Sequence, residues 1–133
     1  MAISAEQMVA AAEAEIETIS VEAAKALTLD DQCVFVDIRD IRELWRDGKV
    51  PGATHAPRGM LEFWIDPQSP YHREIFAADK RFIFYCASAW RSALAAQTAQ
   101  LMGINNVCHI AGGFSAWRDA GAPTESVAAK PPA

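Results

Sequence analysis

With 133 residues, 51% of them hydrophobic, the chain has material for one core and excludes two independently packed domains. Its net charge of -5 is spread along the sequence without a basic cluster, which excludes a broad nucleic-acid surface and leaves small molecules or protein thiols as partners. The three cysteines, Cys33, Cys86 and Cys108, are far apart and form no CxxC, the pattern of reduced thiols rather than of a disulfide framework or a zinc site.

The opening MAISAEQMVAAAEAEIET has no positively charged start, and glutamates interrupt its apolar positions. It reads as neither a signal peptide nor a membrane span, so no membrane association and a cytoplasmic location are expected. Residues 4 to 17 are predicted to form a helix with Met8, Ala12 and Ile16 on one face, packing on the edge of a domain that runs from 18 to 123. After a short extended piece around Ile19, Ser20 caps a second helix, VEAAKALT. CVFVDI, residues 33 to 38, is an almost continuous apolar run with β-branched and aromatic residues, as in a strand covered on both faces, and a parallel sheet follows.

DIRELWRDG reads as a short helix capped by Asp40, with Glu43 three residues on and Gly48 as its stop. VPGATHAP turns into another short extended segment. A helix within residues 58 to 76 must end near Ile65, ahead of Pro67 and Pro70, and a long loop follows. RFIFY, 81 to 85, is a second buried strand, and a helix runs from Ser92 to a stop at Gly103. NVCHI, 106 to 110, is a third such strand, followed by Gly112-Gly113 and a last helix, FSAWRDA. The Ala/Pro/Lys tail from 124 to 133 is expected to be disordered. Strands alternating with helices give an α/β domain, and sites in such sheets form at the carboxyl ends of strands.

Cys86 stands at such an end. Small residues fill the turn from it to the helix, so backbone N–H groups can turn inward, and the helix start adds unpaired N–H groups with a partial positive charge. That cradle, with the guanidinium of Arg91, favours a thiolate and makes Cys86 a candidate nucleophile. Cys33 and Cys108 lie inside apolar strand runs and read as structural.

The segment CASAWR resembles the active-site loop of the rhodanese (sulfurtransferase) family. VDIRDIREL is similar to that family's Asp-x-Arg strand and acidic helix, GKVPGATHAP to its Gly-x-x-Pro-Gly-Ala turn, and AGGFSAWRDAGAP to its closing Gly-Gly-x-x-x-Trp segment. The resemblance runs from about residue 18 to 123. It implies a rhodanese-like fold, a central parallel sheet of about five strands flanked by helices on both faces, with Cys86 carrying sulfur as a persulfide. The Cys86–Arg91 pattern, C-x-x-x-x-R, is one residue shorter than that of the related dual-specificity phosphatases and arsenate reductases, and a single terminal sulfur needs a smaller cradle than a tetrahedral oxyanion. Ala89 stands where family loops commonly have glycine, and a left-handed backbone there would cost an alanine about 1 kcal/mol or more.

The expected machinery is therefore Cys86 and Arg91 as catalytic residues, with Ala87, Ser88, Ala89, Trp90 and Ser92 around the substrate. Ser88 would offer a hydroxyl to the sulfur, Trp90 an apolar rim, and Arg58 a second positive charge toward an anionic donor, unless Glu62 one turn on simply pairs with it. Asp37 and Arg39 alternate at the end of their strand and are expected to support the loop. His55, His72 and His109 lack metal spacing; no metal and no cofactor are expected. The expected activity is transfer of a sulfane sulfur from thiosulfate or a similar donor to cyanide, a cellular thiol or a protein cysteine. The alternatives are a phosphatase or arsenate reductase of the same fold and a noncatalytic protein-interaction module. Either a monomer or a homodimer is compatible with the first helix.

Overall fold

Successive residues of a strand face opposite sides of a sheet, so a run such as Phe82 to Tyr85 is apolar throughout only where both faces are covered. The computed structural model, which describes residues 2–129, has that arrangement. Five strands, β1 (Glu17–Ile19), β2 (Cys33–Asp37), β3 (Thr54–His55), β4 (Arg81–Tyr85) and β5 (Val107–Ile110), form one sheet in the order β1-β5-β4-β2-β3. Every neighbouring pair is parallel. The fold is the expected α/β architecture, with β4 in the middle.

The alternation along β4 divides the core. Phe82 and Phe84 join Val34, Val36 and Val107 on one face, under α1 (Ala5–Glu15), α4 (Leu61–Ile65) and α5 (Trp90–Leu101). Ile83 and Tyr85 join Phe35, Cys108 and Ile110 on the other, under α2 (Val21–Lys25) and α6 (Gly113–Asp119). Ala93, Ala95, Ala96 and Ala99 of α5 are fully buried, so their small side chains bring that helix close to the sheet. The remaining helix, α3 (Ile41–Asp47), follows β2 and is capped by the Asp40 carboxylate, which accepts from the Arg42 N–H.

Several boundaries differ from the sequence reading. In α1 the inward face carries Val9, 3% exposed, while Met8 is 49% exposed. The buried stripe is rotated by one residue because Val9, Ala12 and Ile16 meet the same core, and both choices have helical spacing. Helix α2 stops at Lys25, and α5 begins at Trp90 rather than Ser92, which places Arg91 in its first turn. The tail is not free at its start: Lys49 and Glu125 exchange backbone hydrogen bonds of 2.9 and 2.8 Å, and the Glu125 carboxylate accepts from the Gly52 N–H. Gly48, at φ 80°, permits this close approach, since a Cβ there would lie 2.9 Å from the Glu125 carbonyl oxygen. Residues 130–133 of the expected disordered tail lie outside the described residues. Among the described residues no helix is long and apolar enough to cross a membrane.

Candidate functional site

The carboxyl end of β4 delivers the chain to Cys86, 1% exposed at the base of a tight turn. The carbonyls of Cys86 and Ala87 point away from this turn toward α6, where they accept hydrogen bonds from the N–H groups of Phe114 (2.8 Å) and Ser115 (3.0 Å). This contact requires Gly113. Its φ is 59°, and a Cβ would stand 2.5 Å from the Cys86 carbonyl oxygen and 2.8 Å from that of Ala87. With those carbonyls held outward, the turn closes so that the Ala89 N–H donates to Cys86 Sγ at 3.2 Å. Ala89 adopts φ 133°, ψ -11°, among the described residues the sole non-glycine residue with positive φ, and serves as the N-cap of α5. The strain anticipated at this position is therefore present in the backbone.

Electrostatics at the turn are set by α5 and α3 together. The first-turn amides of a twelve-residue helix carry a partial positive charge beside the sulfur. Arg91 is gripped by Glu43, with two parallel hydrogen bonds of 3.0 and 3.1 Å. The bond to Glu43 raises Arg91 above its ordinary pKa, with the Cys86 sulfur acting in the same direction. The sequence places Glu43 in a helix cap, but its side chain crosses to α5. The Asp40-x-x-Glu43 spacing had a sufficient local explanation, so nothing in it pointed to a partner 48 residues away.

The other predicted residues divide into those near the turn and those committed elsewhere. Ala87 and Ala89 line the turn, Ser88 is exposed at its tip, and Trp90 is 53% exposed at the start of α5. The Ser88 hydroxyl is open to a group approaching the turn from solvent. Ser92 is fully buried; its Oγ donates to the Ala89 carbonyl and meets His109 Nδ1. Arg58 does not present a free charge: Glu62 pairs with it at 2.8 Å, and Thr98 Oγ1 lies at 3.4 Å. The helical turn that separates Arg58 from Glu62 brings the opposite charges together.

Asp37 and Arg39, expected to support the loop, are paired with each other. Asp37 ends β2 and Arg39 lies two residues on, and the guanidinium folds back onto the carboxylate, with Nε and Nη2 at 2.9 and 2.6 Å from its two oxygens. Arg39 also donates to the Gly48 carbonyl and stacks 4.3 Å from the Phe114 ring centroid. Burial alone would lower the Arg39 pKa, but the bonds to Asp37 outweigh it and the net direction is upward. The pair ties β2, the end of α3 and α6 together and so supports the turn indirectly, through the helix that holds the Cys86 carbonyl. His55 bonds the Arg39 carbonyl through Nε2 at 2.7 Å. Among the described residues no three His, Cys, Asp or Glu side chains converge as a metal site requires.

A turn that offers one amide to a buried sulfur, backed by a helix start and a cation, can hold a sulfur nucleophile and a small anionic group attached to it. A family model described as the rhodanese-like domain matches residues 20–120. Among solved structures, a Rhodopseudomonas palustris protein of unknown function, described as a possible tyrosine phosphatase, is 55% identical with a TM-score of 0.92, over 94% of this chain and 96% of its own. The polysulfide-sulfur transferase homodimer of Wolinella succinogenes is 28% identical with a TM-score of 0.68, covering 90% of this chain and 85% of that one. The mouse thiosulfate sulfurtransferase/rhodanese-like domain-containing protein 3 is 28% identical over 98 residues, 70% of this chain. The match spans 62% of the mouse protein's length.

Proposed function

Because the chain belongs to the rhodanese-like domain family, matched over residues 20–120, we propose that it is a sulfurtransferase in which Cys86 carries a sulfane sulfur as a persulfide. The observation that carries this reading is the Ala89 N–H donating to Cys86 Sγ at 3.2 Å within a turn of only six residues, Cys86 to Arg91. A turn this short suits one terminal sulfur rather than three peripheral oxygens. In the first step the Cys86 thiolate attacks the outer sulfur of thiosulfate; a new S–S bond forms, the donor's S–S bond breaks, and sulfite leaves with the bonding electron pair. The persulfide anion then lies at the helix start, where the positive end of α5 and Arg91 oppose its charge. In the second step cyanide, a cellular thiol or a protein cysteine attacks the terminal sulfur, and Cys86 recovers its thiolate.

A second reading has one observation in its favour, the description of the 55% identical Rhodopseudomonas palustris protein as a possible tyrosine phosphatase. In that case Cys86 would attack phosphorus, and Arg91 would leave Glu43 to contact the phosphoryl oxygens. Intact mass separates the two. Incubation with thiosulfate is expected to add one sulfur atom to the wild-type protein and none to Cys86→Ser, and cyanide is expected to remove it as thiocyanate. Turnover of p-nitrophenyl phosphate with no sulfur loading would replace the first reading by the second.

A further inference from the structure

Of the buried titratable side chains to which the sulfur chemistry gives no part, His109 lies nearest in its hydrogen bonds to the Cys86 turn. His109, in β5, is fully buried between two hydroxyls. Its Nε2 lies 3.0 Å from Thr18 Oγ1 on β1, and its Nδ1 lies 2.9 Å from Ser92 Oγ in the first turn of α5. Ser92 Oγ is in turn 3.1 Å from the carbonyl oxygen of Ala89. The order of donors follows from proton counting. A carbonyl only accepts and a serine hydroxyl has one proton, so Ser92 donates to Ala89 and receives from an Nδ1–H, which leaves Nε2 to accept from Thr18. This tautomer makes all three bonds at once; the other leaves the Ser92–Ala89 contact without a proton.

The chain ends on the residue whose backbone is strained. Ala89 has φ 133°, and the N–H it presents to Cys86 Sγ depends on that conformation. Glycine would adopt it at little cost, whereas an alanine favours negative φ and would swing the amide off the sulfur. The Ala93 N–H already bonds the Ala89 carbonyl at 3.0 Å, as at any helix start. Ser92 fills the second acceptor position of the same oxygen. We propose that His109, as its Nδ1–H tautomer, is a positioning residue: through Ser92 it pins the Ala89 peptide and so keeps the Ala89 amide on Cys86. The inference rests on the reading of Cys86 as the nucleophile, but its test needs no sulfur donor.

The rate of Cys86 alkylation by iodoacetamide, assigned by peptide mass, is measured in wild type, His109→Asn and His109→Gln, each with and without Ala89→Gly. An asparagine amide reaches the place of Nδ1 and keeps the bond to Ser92, whereas a glutamine amide reaches the place of Nε2 and keeps only the bond to Thr18. His109→Asn is expected to react within about twofold of wild type and His109→Gln on the order of tenfold more slowly, the worth of one buried hydrogen bond. With glycine at 89 the gap is expected to shrink to about threefold or less, because the strain that the chain opposes is gone. Equal slowing of both variants, an unslowed His109→Gln, or a gap unchanged by Ala89→Gly overturns the proposal. Long-range proton–nitrogen correlation NMR of the wild-type protein tests it without any variant: the expected signal is a protonated Nδ1, and a protonated Nε2 would refute it. Because alkylation reads the thiol itself, a protein that loads no sulfur and still shows this pattern loses the proposed activity and keeps the positioning role.

Discussion

Glu43, on α3, holds Arg91, on α5, by two hydrogen bonds of 3.0 and 3.1 Å across the mouth of the Cys86 turn. The pair is partly exposed, so its contribution to folding is small, and its consequence lies in the charge it leaves beside the sulfur.

Removing the cation alone should therefore do more harm than removing both partners. Arg91→Ala leaves the Glu43 carboxylate unopposed near an anionic donor, and loading from thiosulfate is expected to fall by about tenfold or more. Glu43→Gln with Arg91→Ala should recover a measurable part of that loss, a coupling that initial rates of sulfite release will reveal. Additive losses in the double variant would mean that the two side chains act separately.

Gly113 is the point where α6 touches the turn. Gly113→Ala drives a methyl group into the Cys86 and Ala87 carbonyls, at 2.5 and 2.8 Å, and is expected to lower stability by about 2 kcal/mol or more. Because the carbonyls must move, Cys86 loading should fall even at temperatures where the variant remains folded. Urea denaturation and intact mass after thiosulfate test the two parts; an unchanged urea midpoint would show that the backbone shifts aside freely.

Arg39→Met leaves the Asp37 carboxylate buried without its partner and is expected to cost about 3 kcal/mol in urea denaturation. Asp37→Asn combined with Arg39→Met should be less destabilised than the single Arg39 variant, because no uncompensated charge remains. A double variant weaker than either single one would contradict a charge-pairing origin.

Two buried groups each contribute to the pH dependence of stability, alongside Tyr85, which burial also raises. Burial pushes the Cys108 thiol up to about 11 from an ordinary 9.0, so the folded protein keeps a proton that the unfolded chain loses. The associated stability is intact below about pH 9 and falls by about 2 kcal/mol as the pH rises to 11. Cys108→Ala should lack this alkaline loss. Burial lowers His109, so on the acid side stability is present above about pH 6.5 and falls as the pH drops, when the unfolded chain gains the proton first. His109→Asn should flatten that limb. Denaturation curves across pH, compared as differences from wild type, give both slopes.

Local patterns were enough for the elements. The apolar run of β4 required two covered faces, Asp40 and Ser20 capped helices as their side chains allow, and Pro67 lies just beyond the end of α4 at Ile65. The strain at Ala89 was foreseeable from the resemblance, because loops of that family commonly have glycine there. By contrast, Met8 and Val9 have equally good helical spacing, and only the packed sheet chose Val9. The Arg58–Glu62 pair was legible in their spacing of one helical turn, whereas Arg39 was legible as a cation but not as one engaged by Asp37.

The amino-acid order by itself determined the alternation of strands and helices, and with it a parallel sheet having Cys86 at the carboxyl end of a buried strand, because periodicity, capping and turn chemistry act over a few residues. Only the tertiary structure decided what surrounds that sulfur: Glu43 on Arg91, Gly113 against the Cys86 carbonyl, and His109 behind Ser92. Those contacts join segments from 17 to 48 residues apart, and hydrogen-bond partners at that distance depend on how the helices settle on the sheet rather than on any neighbouring residue.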